Sequence, residues 1–180
     1  MKATASVLIL AAALVAAACG EGRAIFNVDV LSFLQAGDSV KNYDVIGGVP
    51  PVDSTVSRQF TLPPGFGKSS VDSVQATAAA VIENASGGGD VTFDVFFAKT
   101  QGGLFTGTPY VSAATGPVVG ADTVQLLPPT TVSLSDSVFN TTDLWVGIRA
   151  RITTNVGPNM VGKLRLTQLM LRIVVQDQIF

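Results

Sequence analysis

From residue 24 onward the apolar residues of this chain recur at every second position. Phe26, Val28 and Val30 alternate with Asn27 and Asp29, and Val91, Phe93, Val95 and Phe97 alternate with Thr92 and Asp94. Leu144, Val146, Ile148, Ala150 and Ile152 alternate with Trp145, Gly147, Arg149 and Arg151. A period of two puts successive side chains on opposite faces of a strand, so each run predicts a strand with one buried face. Turn-forming residues separate the runs: Gly47-Gly48, Pro50-Pro51, Pro63-Pro64-Gly65, Gly87-Gly88-Gly89, Gly102-Gly103, Pro128-Pro129 and Gly157-Pro158. Short strands punctuated in this way predict an all-β domain, a single antiparallel β-sandwich, jelly-roll-like, with about eight strands. The expected strands are 24–34, 55–62, 70–83, 90–99, 117–126, 130–135, 143–154 and 163–176, with weaker candidates at 40–46 and 104–112.

Two stretches are less plain. Residues 71–85 read as a strand with Val74, Ala76, Ala78, Ala80 and Ile82 on one face. They also read as a helix capped by Ser70, with Val71, Val74, Ala78 and Ile82 along one stripe. A helix would leave an outer face of Thr and Ala with few charges, which favours the strand and makes 84–90 a glycine-rich hairpin loop. In the last strand Leu164 and Leu166 have even parity, whereas Leu169, Leu171, Ile173 and Val175 have odd parity. A strand changes its buried face only through an irregularity, so a β-bulge is expected near Thr167-Gln168, unless the strand is central and apolar on both faces there.

The N-terminus has a different pattern. Lys2 precedes an unbroken apolar run at 7–18, VLILAAALVAAA. A bilayer-spanning helix needs about 20 apolar residues, so this run fits the helical core of a secretory signal peptide instead. It ends in Ala16-Ala17-Ala18-Cys19, and Cys19 is the chain's only cysteine. This junction resembles the lipobox of bacterial lipoprotein precursors, although Ala16 stands where Leu is more usual. The resemblance covers residues 1–19 and leaves the domain behind them unrecognised. It implies cleavage before Cys19, acylation of that cysteine, export, and anchoring in the lipid bilayer at the cell envelope. Gly20 in place of Asp implies the outer membrane in a Gram-negative cell. An ordinary signal peptide cleaved after Ala-x-Ala is the plainer alternative. The expected organisation is a signal peptide at 1–18, a lipidated tether at 19–23 and a β-sandwich domain at 24–180. Four tether residues reach only about 13 Å, which would hold the domain close to the membrane.

Composition narrows the chemistry. The chain contains no His, which removes the usual general base and the commonest metal ligand. A single Cys excludes an intrachain disulfide and a Cys-rich zinc site. A net charge of −2 with 13% charged residues gives no basic footprint for nucleic acid. A Ser–Lys dyad would have to use Lys41, Lys68, Lys99 or Lys163, and nothing pairs any of these with a particular Ser. Asp90 and Asp94 share a strand face about 13 Å apart, beyond either glycosidase geometry. Asp29 and Asp94 lie opposite the apolar face of their strands and are expected to be solvated. Asp136, Asn140 and Asp143 frame a loop that offers oxygen donors to a Ca²⁺, although Asp and Asn are also ordinary turn residues.

One strand face stands out. Trp145, Gly147, Arg149 and Arg151 place an aromatic, a gap and two guanidinium groups in a row, which could stack against and hydrogen-bond a sugar or an aromatic ligand. Alternatively Trp145 covers a second core edge, and both arginines pair with Asp on neighbouring strands. No residue is assigned a catalytic or cofactor-binding role. The sequence reads as a non-enzymatic, membrane-anchored envelope lipoprotein with a structural or binding role toward an envelope protein or glycan. The alternatives are a carbohydrate- or small-ligand-binding module using the outer face of 143–154, and a hydrolase of unrecognised type.

Overall fold

The computed structural model describes residues 22–35, 37–62, 70–134 and 137–177. Eleven strands lie among them: β1 (Gly22–Asp29), β2 (Val40–Val45), β3 (Val52–Thr61), β4 (Ser70–Ser86), β5 (Gly88–Ala98), β6 (Val111–Ala114), β7 (Val118–Val119), β8 (Asp122–Leu126), β9 (Thr131–Leu134), β10 (Asp143–Thr154) and β11 (Met160–Asp177). Three short 3-10 helices, Val30–Phe33, Gln101–Thr106 and Ser137–Phe139, are the helical segments among the described residues. None of the helices is long and apolar enough to cross a membrane.

All pairings are antiparallel, and the strands form two packed sheets. The first sheet runs β1-β11-β4-β8, with β2 also on β11 and β9 also on β4. The second runs β3-β10-β5-β6, with β7 also on β5. β1 and β2 occupy successive stretches of the same side of β11, and β8 and β9 do the same on β4. Counting each such pair as one interrupted strand, and β6 with β7 likewise, leaves eight strands in chain order. Their order is 1-8-3-6 in the first sheet and 2-7-4-5 in the second, the connectivity of a jelly roll.

The alternating residues meet between the sheets. Phe93, Val95 and Phe97 of β5, Leu144, Val146 and Ile148 of β10, and Leu169, Leu171 and Ile173 of β11 are all buried in one cluster. Ala76, Ala78 and Ala80 of β4 lie in the same cluster as Phe93, Phe97 and Phe139. The 71–85 segment is therefore strand, central in its sheet between β11 on one side and β8 and β9 on the other. The parity change in β11 is a bulge: Leu166 pairs with Ala80 and Gln168 with Ala79, which leaves Thr167 between them unpaired.

Some expectations need correction. The expected 24–34 strand starts at Gly22 and ends at Asp29. At the start, Gly22 and Arg23 pair with Asp177 and Gln176, so the last two residues of the expected tether belong to the sheet. Cys19 and the rest of residues 1–21 lie outside the described residues. At the other end the alternation fails at the consecutive Val30-Leu31, and a 3-10 turn buries Val30 and sets Phe33 against Phe60. The weaker candidate 40–46 is β2, whereas 104–112 divides between a 3-10 helix and β6.

The expected glycine hairpin is instead a corner that carries the chain from one sheet to the other, because β4 and β5 belong to different sheets. Gly87 sits at φ +74°, and a Cβ there would stand 2.3 Å from the Asn159 carbonyl oxygen. A Cβ on Gly89 would stand 2.0 Å from the Thr153 carbonyl oxygen. Glycine is thus required for close backbone approach rather than for looseness. Buried Asn84 clasps this corner. Its amide nitrogen donates to the carbonyls of Ser86, Gly87 and Gly120, and its side-chain oxygen accepts from the Tyr43 hydroxyl at 3.1 Å. Backbone carbonyls that leave a sheet need such donors when buried. Burial pushes the Tyr43 hydroxyl pKa up to about 12.

Candidate functional site

The outer face of β10 carries the residues that sequence marked for ligand contact. Trp145, Gly147, Arg149 and Arg151 point away from the sandwich core, as alternation requires. The gap at Gly147 is filled. A Cβ there would lie 2.8 Å from the Phe105 ring and 3.1 Å from Leu104, both in the 3-10 helix Gln101–Thr106. This helix folds back over the second sheet, and its Leu104 joins Phe96 and Ala98 in a buried cluster, with Phe105 and half-buried Trp145 packed against it. Phe96 and Phe105 meet edge to face, their ring centroids 5.3 Å apart. A small second core therefore lies outside the sandwich.

Beside it runs a row of paired side chains. Arg149 stands directly opposite Asp94 across the β10–β5 ladder, and Asp94 stands opposite Ser112 across the β5–β6 ladder. Arg149 donates to Asp94 Oδ2 through Nε at 3.0 Å and Nη2 at 2.7 Å, while Ser112 Oγ donates to Oδ1 at 2.6 Å. The Arg149 guanidinium also lies 4.8 Å from the Phe96 ring centroid. The expectation of a solvated Asp94 is therefore wrong: its side chain is only 5% exposed. Alternation correctly gives the face, but on that face Asp94 is buried between Arg149 and Ser112.

One residue pair further along, Arg151 grips Asp53 of β3 with Nε to Oδ1 at 2.7 Å and Nη2 to Oδ2 at 2.9 Å. Hydrogen bonds from Arg151 hold the Asp53 carboxyl below its ordinary pKa. Both arginines thus meet Asp on neighbouring strands, and the oxygens of Asp94 are engaged on both sides.

The loop with candidate cation donors is used for structure. Asn140 Oδ1 accepts the Val71 backbone N–H at 3.0 Å, and Asp143 Oδ1 accepts the Thr61 hydroxyl at 3.0 Å. Asp136 lies outside the described residues. Among the described residues no group of three or more His, Cys, Asp or Glu side chains is gathered for a metal.

Sequence reasoning passed over a groove on the open side of the sandwich, between the edges formed by β1 and β3. It has a volume of about 430 Å³ and is lined by Asn27, Val28, Asp29, Ser32, Phe33, Thr61 and Leu62. The signal was Phe33, an aromatic at the point where the β1 alternation breaks down, but it was absorbed into an over-long strand.

The strand order and this geometry define the chain as a jelly-roll sandwich with one face overlaid by a connecting segment. No family model matches the chain, and no curated protein matches it. Solved structures with a similar course include that of infectious bursal disease virus Gx strain, with a TM-score of 0.46 and 12% identity over 88% of this chain and 33% of that one. The Gt strain of the same virus gives 0.42 and 11%, covering 86% of this chain and 36% of that one. A CocE/NonD family hydrolase from Staphylococcus aureus gives 0.37 and 12%, covering 86% and 37%. This chain spans about a third of each of those proteins. The jelly-roll assignment rests on the chain's own strand order.

Proposed function

We propose that this protein is an exported, lipid-anchored envelope protein whose jelly-roll domain has a non-catalytic, structural or partner-binding role. The observation that carries the reading is the Ala16-Ala17-Ala18-Cys19 junction placed three residues before Gly22, the first paired residue among the described residues. Three residue steps reach about 10 Å, so a lipid on Cys19 would hold the end of β1 at the bilayer surface. Two or more acyl chains give stable anchoring, whereas a single chain binds reversibly. With Gly20 after the cysteine, the outer membrane is the expected destination in a Gram-negative cell.

The non-catalytic reading draws support from the fate of the charged groups on β10. Acid–base chemistry needs a titratable group free to exchange a proton with a substrate. Asp94 and Asp53 are instead held by Arg149 and Arg151. The rival reading, a ligand on Trp145, Arg149 and Arg151, would require Phe105 to leave Gly147 and two ion pairs to open. The geometry supports a bracing role for this face.

The test is Cys19→Ala expressed in the native host. The variant is expected in the soluble fraction or uncleaved, and intact mass of the wild type is expected to show acyl chains on a mature protein beginning at Cys19. A wild-type mature protein with no acyl mass overturns the anchoring.

A further inference from the structure

We infer that the groove between β1 and β3 is a saccharide-binding site with Phe33 as its stacking platform. This goes beyond the envelope reading and holds whether or not Cys19 is acylated.

The inference begins with the way Phe33 is held. Phe33 is 53% exposed. One face of the ring stacks on Phe60 at a centroid distance of 5.7 Å and an angle of 18°, and Phe60 is itself buried. The 3-10 turn Val30–Phe33, stapled by Ser32 Oγ donating to the Asp29 carbonyl at 2.7 Å, fixes the backbone beneath it. Phe33 is thus a backed, ordered ring with its remaining surface open to the groove.

Polar groups surround the ring. Asn27 and Asp29 share the outward face of β1, two residues apart. Neither side chain hydrogen-bonds another described residue, so the Asn27 amide and both Asp29 oxygens face solvent with full capacity. Across the groove Thr61 gives its proton to Asp143 and keeps an oxygen for accepting.

A ligand that satisfies this set has an apolar face for the ring and hydroxyls at its rim, which donate to Asp29 and accept from Asn27. A pyranose with equatorial hydroxyls has that form, because its axial C–H bonds make a flat apolar face. Among the described residues the groove walls carry Asp29 and no lysine or arginine, which disfavours phosphate or carboxylate ligands. The volume of about 430 Å³ falls toward the lower end for small-ligand sites, consistent with a short oligosaccharide.

The experiment is an NMR titration of the isotope-labelled full chain with cellotetraose, triacetylchitotriose and maltotetraose, with benzoate and a tryptophan-containing tripeptide as the other arms. At least one sugar is expected to shift the Asn27 side-chain amide and the Phe33 ring signals. Phe33→Ala and Asn27→Ala should each weaken that sugar by about tenfold or more. Arg151→Ala, remote from the groove, should leave it unchanged. Asn27 is exposed, so its variant remains informative if Phe33→Ala folds poorly. The inference is overturned if no sugar shifts these signals at about 10 mM, if benzoate or the tripeptide binds there and the sugars do not, or if both variants bind sugar as the wild type does.

Discussion

On the outer face of the first sheet Glu83 meets Lys163 at 2.8 Å and Arg165 at 3.5 Å, with all three side chains between 37% and 47% exposed. On the outer face of the second sheet Asp94 meets Arg149 at 2.7 Å with 5% and 19% exposed. Both are cross-strand pairs of Arg or Lys with a carboxylate, built on the same alternation. Water screens the first and leaves it weak. The second is buried, with Ser112 on the far side of the carboxylate and the Phe96 ring beside the guanidinium, so its charges depend on each other for solvation. The same pairing is a surface ornament in one place and a structural commitment in the other, and the difference lies in how deeply each carboxylate is buried.

The largest effect should come from opening the buried pair. Asp94→Ala leaves the Arg149 guanidinium without its partner under the Phe96 ring. A loss of about 3 kcal/mol is expected, at the low end for a broken buried pair because Arg149 keeps some contact with water. Denaturant unfolding of both single variants and the double variant measures the coupling. A coupling energy near zero would mean that the pair is no less solvated than the exposed one.

Next in size is removal of the seat of the 3-10 helix Gln101–Thr106. Gly147→Val puts a branched side chain where the Phe105 ring lies, and overpacking of this kind costs about 1–3 kcal/mol. Amide exchange in residues 101–106 and Trp145 fluorescence should both report a displaced helix, with the sandwich core unaffected. An unchanged Trp145 signal would show that the second core tolerates the added volume elsewhere.

The smallest effects belong to the exposed carboxylates and appear with pH. The bond to Lys163 holds the Glu83 carboxyl below its ordinary pKa, as Arg151 does for Asp53. A folded-state pKa below the unfolded value gives stability that is present above the unfolded pKa and is lost as pH falls through the folded one. Stability should therefore be flat at neutral pH and fall below about pH 4. Glu83→Gln should reduce that slope slightly, and high salt should abolish its effect. Persistence of the Glu83 effect in high salt would erase the contrast between the two faces.

Alternation made much of this fold legible. It marked β5, β10 and β11 because their inner faces pack on one core, and a shift of parity by one residue marked the bulge at Thr167. It could not show that β4 and β5 lie in different sheets, since sheet membership depends on partners far away in the chain. Gly87 consequently read as a hairpin. Parity also assigned Asp94 to the outer face without revealing that it is buried there. Phe96 and Ala98, apolar on that same outer face and followed by Leu104 and Phe105, were the available sign of the small second core there. Phe33 was hidden for a related reason: its importance comes from Phe60, some 27 positions further along the chain.

The placement of β1 has a mechanical consequence. Residues Gly22 to Asp29 pair one for one with Asp177 to Met170 of β11. A pull on Gly22 along the strand axis loads these rungs in shear, because antiparallel hydrogen bonds lie across the strand direction. They must strain together instead of parting one at a time as in a peeled zipper. A domain tugged by a short leash at its N-terminus would thus hold fast at its point of attachment.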